Sequence, residues 1–241
     1  MRLDVFITTN DLADSRTRAK NLVELGRVLV NGKVINKVPY EVKEGDVITI
    51  SEDYDASLGG IKLRGVLDEA KVFVEGKKCL DVGASNGGFC DVLLQKGAKS
   101  VIALDIGECA LPQRLKDDPR IIVMDRKNAR TLLPSDLPYS PDLITVDVSF
   151  ISLTQVLPAL NACLADNGVA VCLIKPQFEC GKKALSKKGI VTDKREEKRA
   201  IEKITSFSSS IGLSPTGVFA APHPFEKKNQ EYFIILVKNI A

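Results

Sequence analysis

Between residues 78 and 174 the chain alternates between two hydrophobic periods. Apolar runs of strand length stand at Lys78–Val82, Val101–Asp105, Ile121–Met124, Leu143–Val148 and Val169–Ile174. Between several of them apolar residues recur at helical spacing, notably over Phe89–Lys96 and Ser152–Ala165. Continuous apolar strands separated by helical segments predict βαβ units and a mostly parallel, doubly wound α/β sheet. The last part departs from this pattern. A charged helix over Asp193–Ile211 leads to a strand around Pro215–Ala220, and Tyr232–Val237 follows with no helix between them. That order predicts a closing antiparallel pair and a total of seven strands.

Upstream the pattern is that of a smaller module. Ser15 is placed to cap a helix through Ala19, Leu22 and Val23 that stops at Gly26. Val28-Leu29-Val30 and Lys33-Val34-Ile35 flank Asn31-Gly32, the signature of a hairpin closed by a type I′ turn. Gly45-Asp46 introduces a further strand, Val47–Ile50. The polar, acidic stretch Ser51–Ser57 reads as a linker, and a helix follows from about Ile61 to Val74. The expected organisation is a small α+β domain over 1–52, a linker over 53–60 and the α/β domain over 61–241. A length of 241 residues suits one medium domain plus a small module.

Composition narrows the class. With 44% hydrophobic and 27% charged residues the chain can bury a sizeable core, which excludes general disorder. No apolar run approaches the roughly 20 residues of a spanning helix. An acid at Asp4 interrupts the start where a signal peptide would turn apolar, so a cytoplasmic protein without a membrane partner is expected. Six cysteines without a CxxC pair read as buried, reduced thiols. The single histidine, His223, sits between prolines with no clustered acids or thiols, which argues against a zinc site or a catalytic triad, so no metal is expected. A net charge of +3 decides little, but its placement is uneven. Seven basic residues and two acids lie between Arg16 and Lys43. Arg2, Arg16, Arg18, Lys20 and Lys33 are candidate contacts to an RNA backbone, as are Lys182 and Lys183, with Lys187 and Lys188 close behind.

The most informative local string is Asp81-Val82-Gly83-Ala84-Ser85-Asn86-Gly87-Gly88-Phe89, which leaves a strand and opens a helix. Its glycines permit a sharp turn and close approach of a ligand to the backbone. The spacing matches neither the dinucleotide fingerprint nor a phosphate loop. Asp81 would repel a pyrophosphate but attract a cation, which suits the ammonium and sulfonium of S-adenosylmethionine. Candidate cofactor residues are Asp81, Gly83, Ala84, Ser85, Gly87, Gly88, Phe89, Asp105 and Ile106. Asp105 is placed to accept from ribose hydroxyls, and Asp125 to face the adenine end. A nicotinamide or flavin site, or ordinary aspartates at strand ends, are the alternatives.

Together with Asp147-Val148-Ser149-Phe150-Ile151-Ser152-Leu153 and Lys175-Pro176-Gln177-Phe178-Glu179, that turn resembles the TlyA (hemolysin A) family of ribosomal RNA methyltransferases. The family joins an S4-like RNA-binding domain to a methyltransferase domain similar to FtsJ/RrmJ. Arg2-Leu3-Asp4, Ser15-Arg16, Val30-Asn31-Gly32 and Lys37-Val38-Pro39 resemble the S4-like part, and Gly59-Gly60-Ile61-Lys62-Leu63 the junction helix. The resemblance implies a Rossmann-like methyltransferase sheet, S-adenosylmethionine as cofactor, and ribosomal RNA or ribosomal subunits as partner. The implied reaction is methylation of a cytidine ribose 2′-hydroxyl. It also implies a Lys-Asp-Lys-Glu set, met here by Lys62, Asp147, Lys175 and Glu231. Leu58, Asn86, Cys90 and the stretch Pro222–Lys228 depart from the family pattern.

The chemistry asks for such a set. A ribose hydroxyl is a very weak acid, so attack on a sulfonium methyl requires removal of its proton, and a lysine serves as base only when its ammonium is disfavoured by burial or neighbouring cations. Lys175, ending an otherwise apolar strand, is the better candidate. Asp147 and Glu231 would orient and balance the lysines. A non-catalytic RNA-binding or ribosome-assembly factor is the second reading. A cytolysin, suggested by the family's older name, is the third.

Overall fold

The computed structural model describes residues 1–13, 15–24, 26–50, 58–222 and 229–239, and the side chains of Thr17, Leu58 and Lys182 stand outside that description. His223 and the linker residues 53–57 also lie outside it. The chain divides into two compact units, Met1–Leu58 and Gly59–Ala241.

In the first unit, helices α1 (Leu3–Thr9) and α2 (Arg16–Glu24) cover a three-stranded antiparallel sheet of β1 (Val28–Val30), β2 (Lys33–Ile35) and β3 (Ile48–Ile50), ordered β2-β1-β3. Its core is Leu3, Ile7, Ala19, Leu22, Val23, Val28 and Val30. Asn31 and Gly32 both take positive φ, 52° and 75°, as a type I′ turn requires. The Ser15 hydroxyl accepts from the Arg18 N–H at 3.2 Å, which starts α2 where expected. Helix α1 has only Leu3 and Ile7 on its buried apolar face, too short a pattern to stand out in the sequence. What holds it is Asp4, enclosed in the core and bonded to Arg2 and Arg16, each at 2.9 Å.

The second unit is a seven-stranded sheet. Its strands are β4 (Lys78–Val82), β5 (Ser100–Leu104), β6 (Ile121–Met124), β7 (Leu143–Val146), β8 (Val169–Ile174), β9 (Leu213–Ala220) and β10 (Tyr232–Lys238). The order is β6-β5-β4-β7-β8-β10-β9, with β4 to β8 parallel and β10 antiparallel to both neighbours. Successive residues of the inner strands alternate between two cores, as a sheet buried on both faces requires. Cys79, Val101, Leu143, Val171 and Phe233 pack beneath α3 (Leu58–Glu69) and α4 (Gly88–Gln95). Leu80, Ile102, Ile144, Cys172 and Ile234 pack against α6 (Leu157–Cys163) and α8 (Lys194–Ser210). Short helices α5 (Gln113–Lys116) and α7 (Pro176–Glu179) fill connections.

The chain leaves β4 toward β5 and β6, then returns to build β7 and β8 on the other side. The crevice outside the carboxyl ends of β4 and β7 is therefore the switch point, where open α/β sheets hold their ligands. All six cysteines are free, five of them buried. Among the described residues no helix is long and apolar enough to cross a membrane, and no cluster of His, Cys, Asp or Glu could hold a metal ion.

Candidate active site

The exit of β4 lies directly against that of β7. Asp147 N–H donates to the Val82 carbonyl at 2.9 Å, and Gly83 takes φ +85° beside it. A Cβ on Gly83 would stand 2.3 Å from the Asp147 carbonyl oxygen, so only glycine allows the approach. Beside this contact opens a cavity of about 510 Å³, whose lining includes Gly83, Ser85, Asp105, Ile106, Asp147 and Phe150. That volume is within the usual range for a small-molecule site.

The expected cofactor residues divide into those that face the cavity and those that shape it. Asp105 directly follows β5 and accepts from the N–H groups of Ser85 and Gly107, each at 2.9 Å. Each of its oxygens keeps a second lone pair for a ribose hydroxyl. Ile106 is 72% exposed and offers an apolar face at the cavity. Ala84, Gly87, Gly88 and Phe89 are buried, and the Phe89 ring packs on Phe233 with centroids 6.2 Å apart. Asp81 lies beneath the turn, accepting from the Thr145 hydroxyl at 2.8 Å and the Cys90 thiol at 3.1 Å. Burial pushes its carboxyl up to about 7, against the pull of those donors, and the Asp147 charge adds to the rise. Asp125, expected toward the adenine, is not among the cavity-lining residues. It accepts from the Cys109 N–H at 2.7 Å, a bond that holds its carboxyl below the usual range and pins the loop after β5.

The four residues of the expected catalytic set form two ion pairs. Lys175 Nζ lies 2.6 Å from Asp147 Oδ1 and donates to Ser149 Oγ at 2.8 Å. Lys62 Nζ, on α3, donates to Glu231 Oε2 at 2.6 Å. The pairs come from neighbouring points of the sheet. Ile174 faces Tyr232 in the β8–β10 register, and one further step sets Lys175 across from Glu231. All four side chains are half-buried.

Of the expected RNA contacts, Lys20, Lys33 and Lys183 are exposed and Arg18 is half-buried. Arg2 and Arg16 both spend guanidinium donors on Asp4, so part of their role is to hold the first unit together.

Two residues at the site carry no individual role in the sequence reading. Ser149 is the hydroxyl partner of Lys175. Phe150 is 91% exposed at φ +64°, an unusual conformation for an aromatic residue. Its ring also stands 5.0 Å from that of Phe178. The cavity is further lined by Lys127, Asn128 and Arg130. Their position just past the third strand of the parallel series was the available signal.

A family model for FtsJ-like methyltransferases matches residues 56–238, and one for the S4 domain matches residues 1–48. The chain is 38% identical to the 16S/23S rRNA (cytidine-2′-O)-methyltransferase TlyA of Mycobacterium tuberculosis, over 98% of this chain and 89% of that one. It is 34% identical to hemolysin A of Brachyspira hyodysenteriae, over 96% and 98% of the two chains. A solved structure from Streptococcus thermophilus, described as a hemolysin, superposes with a TM-score of 0.78 at 35% identity, covering 100% of this chain and 89% of that one. The switch-point cavity, the glycine turn and the paired lysines and carboxylates are thus found in a chain that belongs to the FtsJ-like methyltransferases, within the TlyA/hemolysin A family.

Proposed function

We propose that this protein transfers a methyl group from S-adenosylmethionine to the 2′-hydroxyl of a cytidine ribose in ribosomal RNA, in the cytoplasm where ribosomes are assembled. The observation that carries the reading is the pair of lysine–carboxylate contacts at the carboxyl ends of β7 and β8 and the start of β10, of which Asp147 lines the cavity.

The residues present fit the cofactor. Gly83 lets the Asp147 backbone close against the exit of β4 at the cavity wall, Asp105 retains acceptor capacity for ribose hydroxyls, and Ile106 presents an apolar face to an adenine. When bound, S-adenosylmethionine supplies an electrophilic methyl on a positively charged sulfur. Lys175 Nζ, held between Asp147 Oδ1 and Ser149 Oγ, is the group placed at the attacking hydroxyl: as the ammonium that its Asp147 partner favours it orients the hydroxyl oxygen, and it takes the proton only in its neutral form. Asp147 and Ser149 fix where that nitrogen points. Lys62 and Glu231, as the second pair, add a charge pair at the neighbouring point of the sheet and help align the ribose. Phe150 offers an aromatic face at the rim on which an unstacked base can rest.

Transfer of radiolabelled methyl to isolated ribosomal subunits, followed by mass mapping of the RNA, tests this. The wild type should label a cytidine ribose. Lys175→Met and Asp147→Asn should each lower the rate about 100-fold or more while the protein stays folded. A label found on a base, or wild-type rates in the Lys175→Met protein, would rule the proposal out.

A further inference from the structure

Glu179 closes the Lys175-Pro176-Gln177-Phe178-Glu179 string, and no step above uses it. Its side chain is only 1% exposed. A buried carboxylate is tolerated when its lone pairs are met by donors and its charge by a cation, and here both conditions hold. Oε1 accepts from the Leu153 N–H at 2.8 Å. Oε2 accepts from the Ser152 hydroxyl at 2.6 Å and from Lys203 Nζ, on α8, at 2.8 Å. Lys203 also reaches Ser152 Oγ at 3.3 Å and the Glu179 carbonyl at 3.2 Å.

Ser152 and Leu153 belong to the loop that carries Asp147, Ser149 and Phe150. Three successive cross-links tie this loop to the segment after β8. Lys175 meets Asp147 and Ser149, the Phe178 ring meets the Phe150 ring at 5.0 Å, and Glu179 meets Ser152 and Leu153. The middle of the loop is strained, since Phe150 takes φ +64° with its side chain exposed. Strain of that kind persists only where the surroundings over-determine the backbone. Before Phe150 the chain is fixed by the Asp147 N–H bond to Val82. After it, Ile151 packs on the core and Glu179 supplies the first hydrogen-bonded anchors.

We propose that Glu179, held by Lys203, is a positioning residue. It sets the backbone over 149–153 and, through it, the Lys175–Asp147 pair and the exposed face of Phe150. The catalytic consequence rests on the methyl-transfer reading; the effect on loop order does not.

The sequence contains no tryptophan, so Phe150→Trp places a single fluorescent reporter in the loop. In that background Glu179→Gln should lower the anisotropy of Trp emission and raise its quenching by acrylamide, with the unfolding midpoint and far-UV dichroism nearly unchanged. In the otherwise native chain Glu179→Gln should lower kcat for methyl transfer about tenfold to a hundredfold and leave cofactor Kd within about twofold, because geometry rather than binding is lost. If Glu179→Gln does not fold, Lys203→Met removes one partner and spares the bonds to Ser152 and Leu153. It should move both readouts in the same direction by less. An ordered Trp reporter together with wild-type kcat in the folded variant overturns the positioning role while the methyl-transfer reading stands. A loosened reporter in a protein whose wild type transfers no methyl leaves the positioning role standing and removes that reading instead.

Discussion

Asp81 is the residue at which burial works against stability most clearly. It is a buried acid whose carboxyl is pushed up to about 7, chiefly by burial. The sign follows from linkage: between the ordinary value of 3.8 and about 7 the folded state holds a proton that the unfolded state has lost. The cost of burying Asp81 is therefore absent below about pH 4, grows as pH rises and is complete above about pH 7. Asp81→Asn cannot titrate. Its stability relative to wild type should climb from pH 4 to pH 7 and then level off, whatever constant offset the lost Thr145 and Cys90 bonds add. Denaturant unfolding at a series of pH values checks this, and a difference flat across that range would show that Asp81 is ionised throughout. An acid directly ahead of the glycines was legible in the sequence. Its burial was not, because burial depends on Thr145 from a strand that pairs with β4 only in the folded sheet.

Among elements, strands were read more closely than helix ends. The runs at 78–82, 121–124 and 169–174 appear as strands with those bounds, because a strand buried on both faces is an unbroken apolar run. Helix α3 ends at Glu69 rather than near Val74. Lys71 takes φ +53° and Val72 bonds back to the Leu67 carbonyl, so the apolar residues beyond belong to the connection into β4. The expected single helix over 152–165 is a one-turn 3-10 segment, Leu153–Gln155, followed by α6, because Glu179 binds Ser152 and Leu153 and fixes that first turn. Pairing across the sheet likewise decides how the site is assembled, and Gly83 is where it can be tested. Gly83→Ala would put a methyl group against the Asp147 carbonyl and impose a side chain on a left-handed backbone. It should destabilise the protein by about 1–3 kcal/mol. It should also weaken cofactor binding measured by calorimetry, because both strand exits must move. Undiminished affinity would mean that β4 and β7 can separate without disturbing the cavity.

At the scale of the whole molecule, the net charge of +3 is not carried by the S4 match over residues 1–48, where eight basic residues stand beside seven acids. The basic excess of that part lies between Arg16 and Lys43, with seven basic residues and two acids, while the cavity of the second unit is lined by Asp105 and Asp147 together with Lys127 and Arg130. The charge pattern along the chain made that basic segment readable. It could not tell which cations are already committed, and the structure shows Arg2 and Arg16 both engaged with Asp4. The exposed lysines are therefore the sharper test of RNA contact. Each lysine that neutralises a phosphate should contribute roughly 0.7–0.9 to the slope of log affinity against log salt. Lys20→Gln with Lys33→Gln should lower that slope if the S4 unit tracks an RNA backbone. Lys183→Gln, Lys187→Gln and Lys188→Gln should lower it independently if the loop beyond Glu179 guides RNA toward Lys175. Titration of ribosomal RNA at several salt concentrations separates the two groups. A slope that falls with the first set but not the second assigns backbone recognition to the S4 unit alone and leaves the second loop outside the RNA contact. A slope unchanged by both would remove the lysines from RNA binding and leave the reaction centre to find its substrate by base and shape contacts.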